Sequence, residues 1–132
     1  MSLHPIKILV AEDEEVVLEI MAKKIASQDY VVIKAKDGQA AWDKIVSEVP
    51  DIIISDLNMP NMDGWALLSQ LRKNPPTKRW QPFIIVSAQN EMDNFKKSFN
   101  LQADHYLTKP CQIEDILKAI RLMLSLIAQH KV

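Results

Sequence analysis

Glu12, Asp13, Asp56, Ser87 and Lys109 are the residues whose types and placement suit them to work together chemically, and each stands at or just beyond the end of an apolar run. Asp56 closes Ile52-Ile53-Ile54-Ser55 and opens a turn-rich stretch from Leu57 through Asn58, Met59, Pro60, Asn61, Met62 and Asp63 to Gly64. Open α/β sheets build their sites from residues delivered to the carboxyl ends of buried strands. Three carboxylates gathered there repel and raise one another's pKa unless a cation relieves them. Mg²⁺ prefers oxygen ligands, keeps waters and commonly sits with a few carboxylates plus a phosphate, so Glu12, Asp13 and Asp56 read as a phosphate-handling metal site. An ionised Asp56 beside such a metal is suited to attack phosphorus and form an acyl phosphate. Lys109 would neutralise one phosphoryl oxygen and Ser87 would donate a hydrogen bond to another, so that catalysis is mainly positioning and charge.

The elements that must position these groups follow from the hydrophobic pattern. Residues 6–11, 31–35, 52–55, 83–86 and 103–107 are short β-rich runs, and longer segments of helical period alternate with them. Val17, Ile20, Met21 and Ile25 form the apolar face of a first helix at 14–28. Asp37-Gly38 marks a turn, and Ala41, Trp42, Ile45, Val46 and Val49 supply the apolar side of a second helix that Pro50 closes. Trp65, Leu68 and Leu71 space a third after Gly64, Met92, Phe95 and Phe99 a short fourth, and 113–127 form a closing helix. The three prolines within 74–82 make that stretch the longest loop. Right-handed crossovers between parallel strands then give a sheet covered on both faces, with the chemical residues at one edge.

A chain of 132 residues, 48% hydrophobic, suits one domain spanning 1–132, and no output domain is visible in it. The net charge of -1 gives no electrostatic reason to bind nucleic acid or an anionic membrane. A single cysteine, Cys111, rules out an intrachain disulfide and suits a reducing compartment, so a cytoplasmic location is expected. No apolar stretch approaches the ~20 residues of a membrane span.

The motifs Val10-Ala11-Glu12-Asp13-Glu14, Ser55-Asp56-Leu57-Asn58-Met59-Pro60 with Met62-Asp63-Gly64, Val86-Ser87-Ala88, and Tyr106-Leu107-Thr108-Lys109-Pro110 together resemble the CheY-like receiver domains of two-component signalling, over essentially the whole chain. The resemblance implies an α/β (βα)5 flavodoxin-like three-layer sandwich with strand order 2-1-3-4-5. It implies that Asp56 accepts a phosphoryl group from a phosphohistidine on a sensor histidine kinase or histidine phosphotransfer protein. The Asn58 main-chain carbonyl would join the Mg²⁺ shell. Ser87 and Tyr106 would form a switch acting on the face of the fourth helix, fifth strand and fifth helix, which a downstream effector or a second copy would read. Such a domain is a signalling module that takes part in its own phosphotransfer and autodephosphorylation, and Asn58 and Gln89 are expected to tune the latter. Three positions depart from the common pattern. Gln102 stands where many members have Gly, so a positive φ there would be strained; Cys111 replaces a frequent Phe; Glu12 is one methylene longer than the frequent Asp.

Simpler roles stand beside these. Asp56 alone could cap a strand end, Glu12 and Asp13 could favour a helix N-terminus, and Tyr106 serves equally as a half-buried strand aromatic. Lys109-Pro110 is expected to be cis. His4, His105 and His130 lack metal-ligand spacing and are assigned surface positions; Trp42 and Trp65 are assigned to the core. Ile113, Ile116, Leu117, Ile120, Leu124 and Ile127 form the inner stripe of the closing helix, leaving Ala119, Leu122, Met123 and Leu126 as a second stripe. An aspartate-nucleophile phosphatase or phosphotransferase is the competing enzymatic reading, weakened because Asn58 occupies the place of its second acid. A phosphorylation-independent scaffold of the same fold is the third.

Overall fold

Period-two alternation in the strands decides the layers. Ile8 and Val10 of the first strand, Ile52 and Ile54 of the third and Ile84 and Val86 of the fourth belong to one buried cluster, while Leu9, Ala11, Ile53, Phe83 and Ile85 belong to another. Strands apolar on both faces need helices on both, and the chain supplies them. The computed structural model describes residues 5–88 and 102–130. Its elements run β1 (Lys7–Ala11), α1 (Glu15–Ala26), β2 (Val31–Ala35), α2 (Gly38–Glu48), β3 (Ile52–Asp56), α3 (Gly64–Lys73), β4 (Phe83–Ser87), β5 (His105–Thr108) and α4 (Ile113–His130). The strands form one parallel sheet in the order β2-β1-β3-β4-β5. Helices α1 and α4 cover one face through Leu18, Met21, Ile25, Ile116 and Ile120; α2 and α3 cover the other through Ala41, Ile45, Leu67, Leu68 and Leu71. This is the flavodoxin-like three-layer arrangement. The short helix read from Met92, Phe95 and Phe99 lies outside the described residues, so the last helix is numbered α4 here.

Several assignments made from the sequence need correction. Ile20 on α1 is 57% exposed and Val46 on α2 is 50% exposed, although both were placed on inward faces. Each lies at the edge of its apolar arc, where a 100° step per residue carries it past the contact with the sheet. On α4, Ala119 and Met123 are buried with Ile116, Leu117 and Ile120 rather than forming an outer stripe. The buried arc is wider than one sheet face requires because α4 also touches α1. Trp42 and Trp65 are half-buried against the α2/α3 cluster instead of enclosed by it, and His105 is half-buried in β5.

The expected cis Lys109-Pro110 bond is present, and Gln102 has φ 64. That left-handed conformation costs a residue with a Cβ about 1–2 kcal/mol relative to Gly. Because the Gln102 side chain is exposed, Gln102→Gly forfeits no packing there. The variant is expected to gain about 1 kcal/mol and to unfold roughly 3–5 °C higher in a thermal melt; an unchanged or lower midpoint would show that the backbone is not strained at this position.

Candidate functional site

The sheet register brings the chemical residues to one edge. Ala11 of β1 pairs with Ser55 of β3, Asp56 with Val86 of β4, and Ser87 with Thr108 of β5, so Glu12, Asp13, Asp56, Ser87 and Lys109 lie at or one to two residues beyond the strand carboxyl ends. The backbone reinforces this edge: Glu12 N–H donates to Ala35 O at 3.0 Å and Lys109 N–H to Ser87 O at 2.6 Å.

Lys109 Nζ bridges two acids, 3.1 Å from Glu12 Oε1 and 3.3 Å from Asp56 Oδ2. Glu12, Asp13 and Asp56 each offer a carboxylate oxygen, and the three atoms lie within 4.8 Å of one another. The second oxygen of Asp56, Oδ1, accepts the Leu57 N–H at 2.7 Å, so one contact on each oxygen orients the carboxylate. Its side chain is only 13% exposed, while that of Asp13 is open to solvent. Ser87 is buried at the end of β4, and Tyr106, two residues before the end of β5, packs half-buried against the α2/α3 cluster. Asn58 is exposed on the loop after Asp56, and Gln89 lies outside the described residues.

Burial is the largest electrostatic influence on Glu12 in the acid cluster. Glu12, 2% exposed, has its carboxyl pushed up to about 7, first by burial and also by the Asp56 charge, against the lowering effect of the Lys109 hydrogen bond. Burial pulls the Lys109 ammonium down, but the Glu12 hydrogen bond and the charges of Asp56 and Glu12 outweigh it, and the net shift is upward. A single ammonium therefore leaves a nearly buried carboxyl near its midpoint at neutral pH. Such a cluster of oxygens suits a small hard cation.

Two contacts were not foreseen. Ser55 Oγ donates to the Asp56 carbonyl at 2.8 Å, and Gly64 is needed for space, because a Cβ there would meet Asp56 O at 2.4 Å. The Ser-Asp and Met-Asp-Gly motifs contained both residues, but only the packed loop shows the close approach. Beside the site an apolar groove of about 540 Å³ runs between α1 and the β5–α4 connection, with Val17, Ile20, Met21, Lys109, Cys111 and Ile113 among its lining residues.

A doubly covered parallel sheet with acids from β1 and β3 meeting a lysine after β5 defines a CheY-like receiver. The family model of the response regulator receiver domain matches residues 8–121, and the chain belongs to that family. It is 32% identical over 120 residues to the response regulator MprA of Mycolicibacterium vanbaalenii, covering 91% of this chain and 51% of that protein. It is 33% identical over 118 residues to ArlR of Staphylococcus saprophyticus, covering 89% of this chain and 52% of that protein. The chain thus spans about half the length of these two curated relatives. Among solved structures, the receiver domain of the Francisella response regulator 1452 superposes with a TM-score of 0.82 at 31% identity, over 91% of this chain and 96% of that one. A CheY-like receiver protein of Methanospirillum hungatei gives 0.88 at 25% identity, over 96% and 98%. The chain therefore carries a response regulator receiver domain of two-component signalling. Among the described residues no helix is long and apolar enough to cross a membrane.

Proposed function

We propose that Asp56 is the phosphoacceptor of a phosphorelay and that residues 1–132 work as one receiver unit. The observation that carries this reading is the Lys109 ammonium held between Glu12 and Asp56 at 3.1 and 3.3 Å, with Asp13 beside them. The donor is a phosphohistidine on a sensor histidine kinase or histidine phosphotransfer protein. Asp56 Oδ attacks phosphorus, the N–P bond to the imidazole breaks, and an aspartyl phosphate forms. Lys109 neutralises a phosphoryl oxygen and the Ser87 hydroxyl donates to another. Glu12, Asp13, Asp56 and the Asn58 carbonyl would hold Mg²⁺, which when bound offsets the charge of the entering phosphoryl group. The donor docks on the groove between α1 and the β5–α4 connection, where the exposed Ile20 (57%) joins Val17 and Met21 in an apolar lining. Phosphorylation shifts a two-state equilibrium through Ser87 and Tyr106, and a downstream effector or second copy reads the β5 and α4 side. Asn58 and Gln89 tune hydrolysis of the aspartyl phosphate. The module acts in the cytoplasm and does not itself bind nucleic acid or membrane.

Phosphate release from an aryl phosphate ester distinguishes this module from a phosphatase. No sustained release is expected, whereas repeated turnover of the ester that survives purification and is lost in Asp56→Asn would overturn the reading.

The acid cluster also makes a pH prediction. Glu12 must lose its proton to serve as a ligand, and its carboxyl is raised to about 7 by burial and the Asp56 charge. Mg²⁺ binding therefore releases a proton below that value. Affinity measured calorimetrically is expected to weaken as pH falls from about 7.5, approaching about tenfold per unit well below the midpoint, and to level off above it. A flat profile between about pH 6 and 8 would remove Glu12 from the ligand set.

A further inference from the structure

We propose that Asp37, an acid outside the metal-binding cluster, is a positioning residue for the Asp56 carboxylate, acting through Asn61 and the loop between β3 and α3. This rests on the phosphoacceptor reading of Asp56 and deepens it.

The two oxygens of Asp37 do different work. Oδ1 accepts the Ala40 N–H at 2.7 Å and caps α2, while Oδ2 accepts Asn61 Nδ2–H at 2.8 Å across 24 residues of sequence. Asn61 sits at the tip of the loop with φ 70, and the next residue closes a tight turn by donating Met62 N–H to Pro60 O at 2.8 Å. The Met62 carbonyl rests against the start of α2 so closely that a Cβ on Gly38 would lie 1.8 Å from its oxygen. The loop tip is thus held on α2 by one polar latch and one close backbone approach.

The base of the same loop is tied to the acceptor. Gly64 N–H donates to Leu57 O at 2.9 Å, and Leu57 N–H donates to Asp56 Oδ1 at 2.7 Å. The other oxygen, Oδ2, faces Lys109 at 3.3 Å. A carboxylate oriented by one contact on each oxygen turns when one contact drifts, and attack on phosphorus is sensitive to that orientation. The contacts run from Asp37 through Asn61 and the loop to Leu57 and Asp56. The Asp37-Gly38 pair, legible in sequence only as a turn, therefore supplies both the latch and the space for the loop.

Asn61→Asp tests this. It places a carboxylate where an amide donated to Asp37, and Asp tolerates the left-handed backbone that Asn adopts there. Adding Asp37→Asn restores a hydrogen bond with donor and acceptor exchanged and leaves an oxygen to cap α2. With phosphoramidate as donor at saturating Mg²⁺, Asn61→Asp is expected to phosphorylate about fivefold more slowly than wild type, and the double variant to return within about twofold. Thermal midpoints are measured beside the rates. A wild-type rate in Asn61→Asp, or a double variant that regains its midpoint but not its rate, would overturn the positioning role. A wild type that takes up no phosphoryl group would instead remove the phosphoacceptor reading on which it rests.

Discussion

Asp56→Asn is expected to take up no phosphoryl group from a small-molecule donor, while remaining folded. The substitution keeps the shape of the side chain and an oxygen to accept the Leu57 N–H, which lies 2.7 Å from Asp56 Oδ1 in the wild type. It removes the proposed nucleophile, because an amide oxygen does not attack phosphorus as a carboxylate does. It also removes one of three acids whose oxygens lie within 4.8 Å. Relief of that repulsion should leave the metal-free protein as stable as wild type or more so. Mg²⁺ affinity should fall at the same time, by about tenfold, as a charged ligand is lost. Intact mass and a thermal melt check both halves. A phosphoryl adduct persisting in the variant would place the acceptor elsewhere.

Lys109→Gln should separate rate from binding. The Lys109 ammonium touches both Glu12 and Asp56, at 3.1 and 3.3 Å, and in the proposed transfer it meets charge that grows on a phosphoryl oxygen. Loss of one preorganised donor in such a role typically costs about 10²-fold or more in rate, near 3 kcal/mol. The same lysine is the cation now paired with the acids, so removing it leaves more negative charge for a divalent ion. Mg²⁺ is expected to bind at least as tightly to the variant as to wild type. Initial rates of phosphorylation and a Mg²⁺ titration test the two expectations. A rate within about threefold of wild type would deny Lys109 its part in transfer.

Much of this was legible in the chain because a doubly covered parallel sheet writes itself plainly. The run at 83–86 is apolar throughout and that at 52–55 apolar up to its closing Ser55, as suits strands buried on both faces, and each extends by one residue in the structure to include Asp56 and Ser87. The acids and the hydroxyl were visible because they end or directly follow apolar runs, and the lysine because it lies two residues beyond the run at 103–107. Helix faces were less legible. Periodicity placed Ile20 and Val46 inward and Met123 outward, since it describes a single contact surface and cannot register that α4 packs on both the sheet and α1. The roles of Gly38 and Gly64 were hidden for another reason. Neither has a positive φ; Gly38 is required by the Met62 carbonyl of a distant loop and Gly64 by the Asp56 carbonyl at the far end of its own loop, and only the folded chain brings those carbonyls near.

Intact-mass measurement of the wild-type protein with Mg²⁺ and phosphoramidate tests the central claim most directly. One phosphoryl group per chain is expected, stable to mild acid, released by base, and absent when excess EDTA is present. No adduct at all, or an equal adduct in EDTA, would contradict an acceptor carboxylate working beside a bound metal ion.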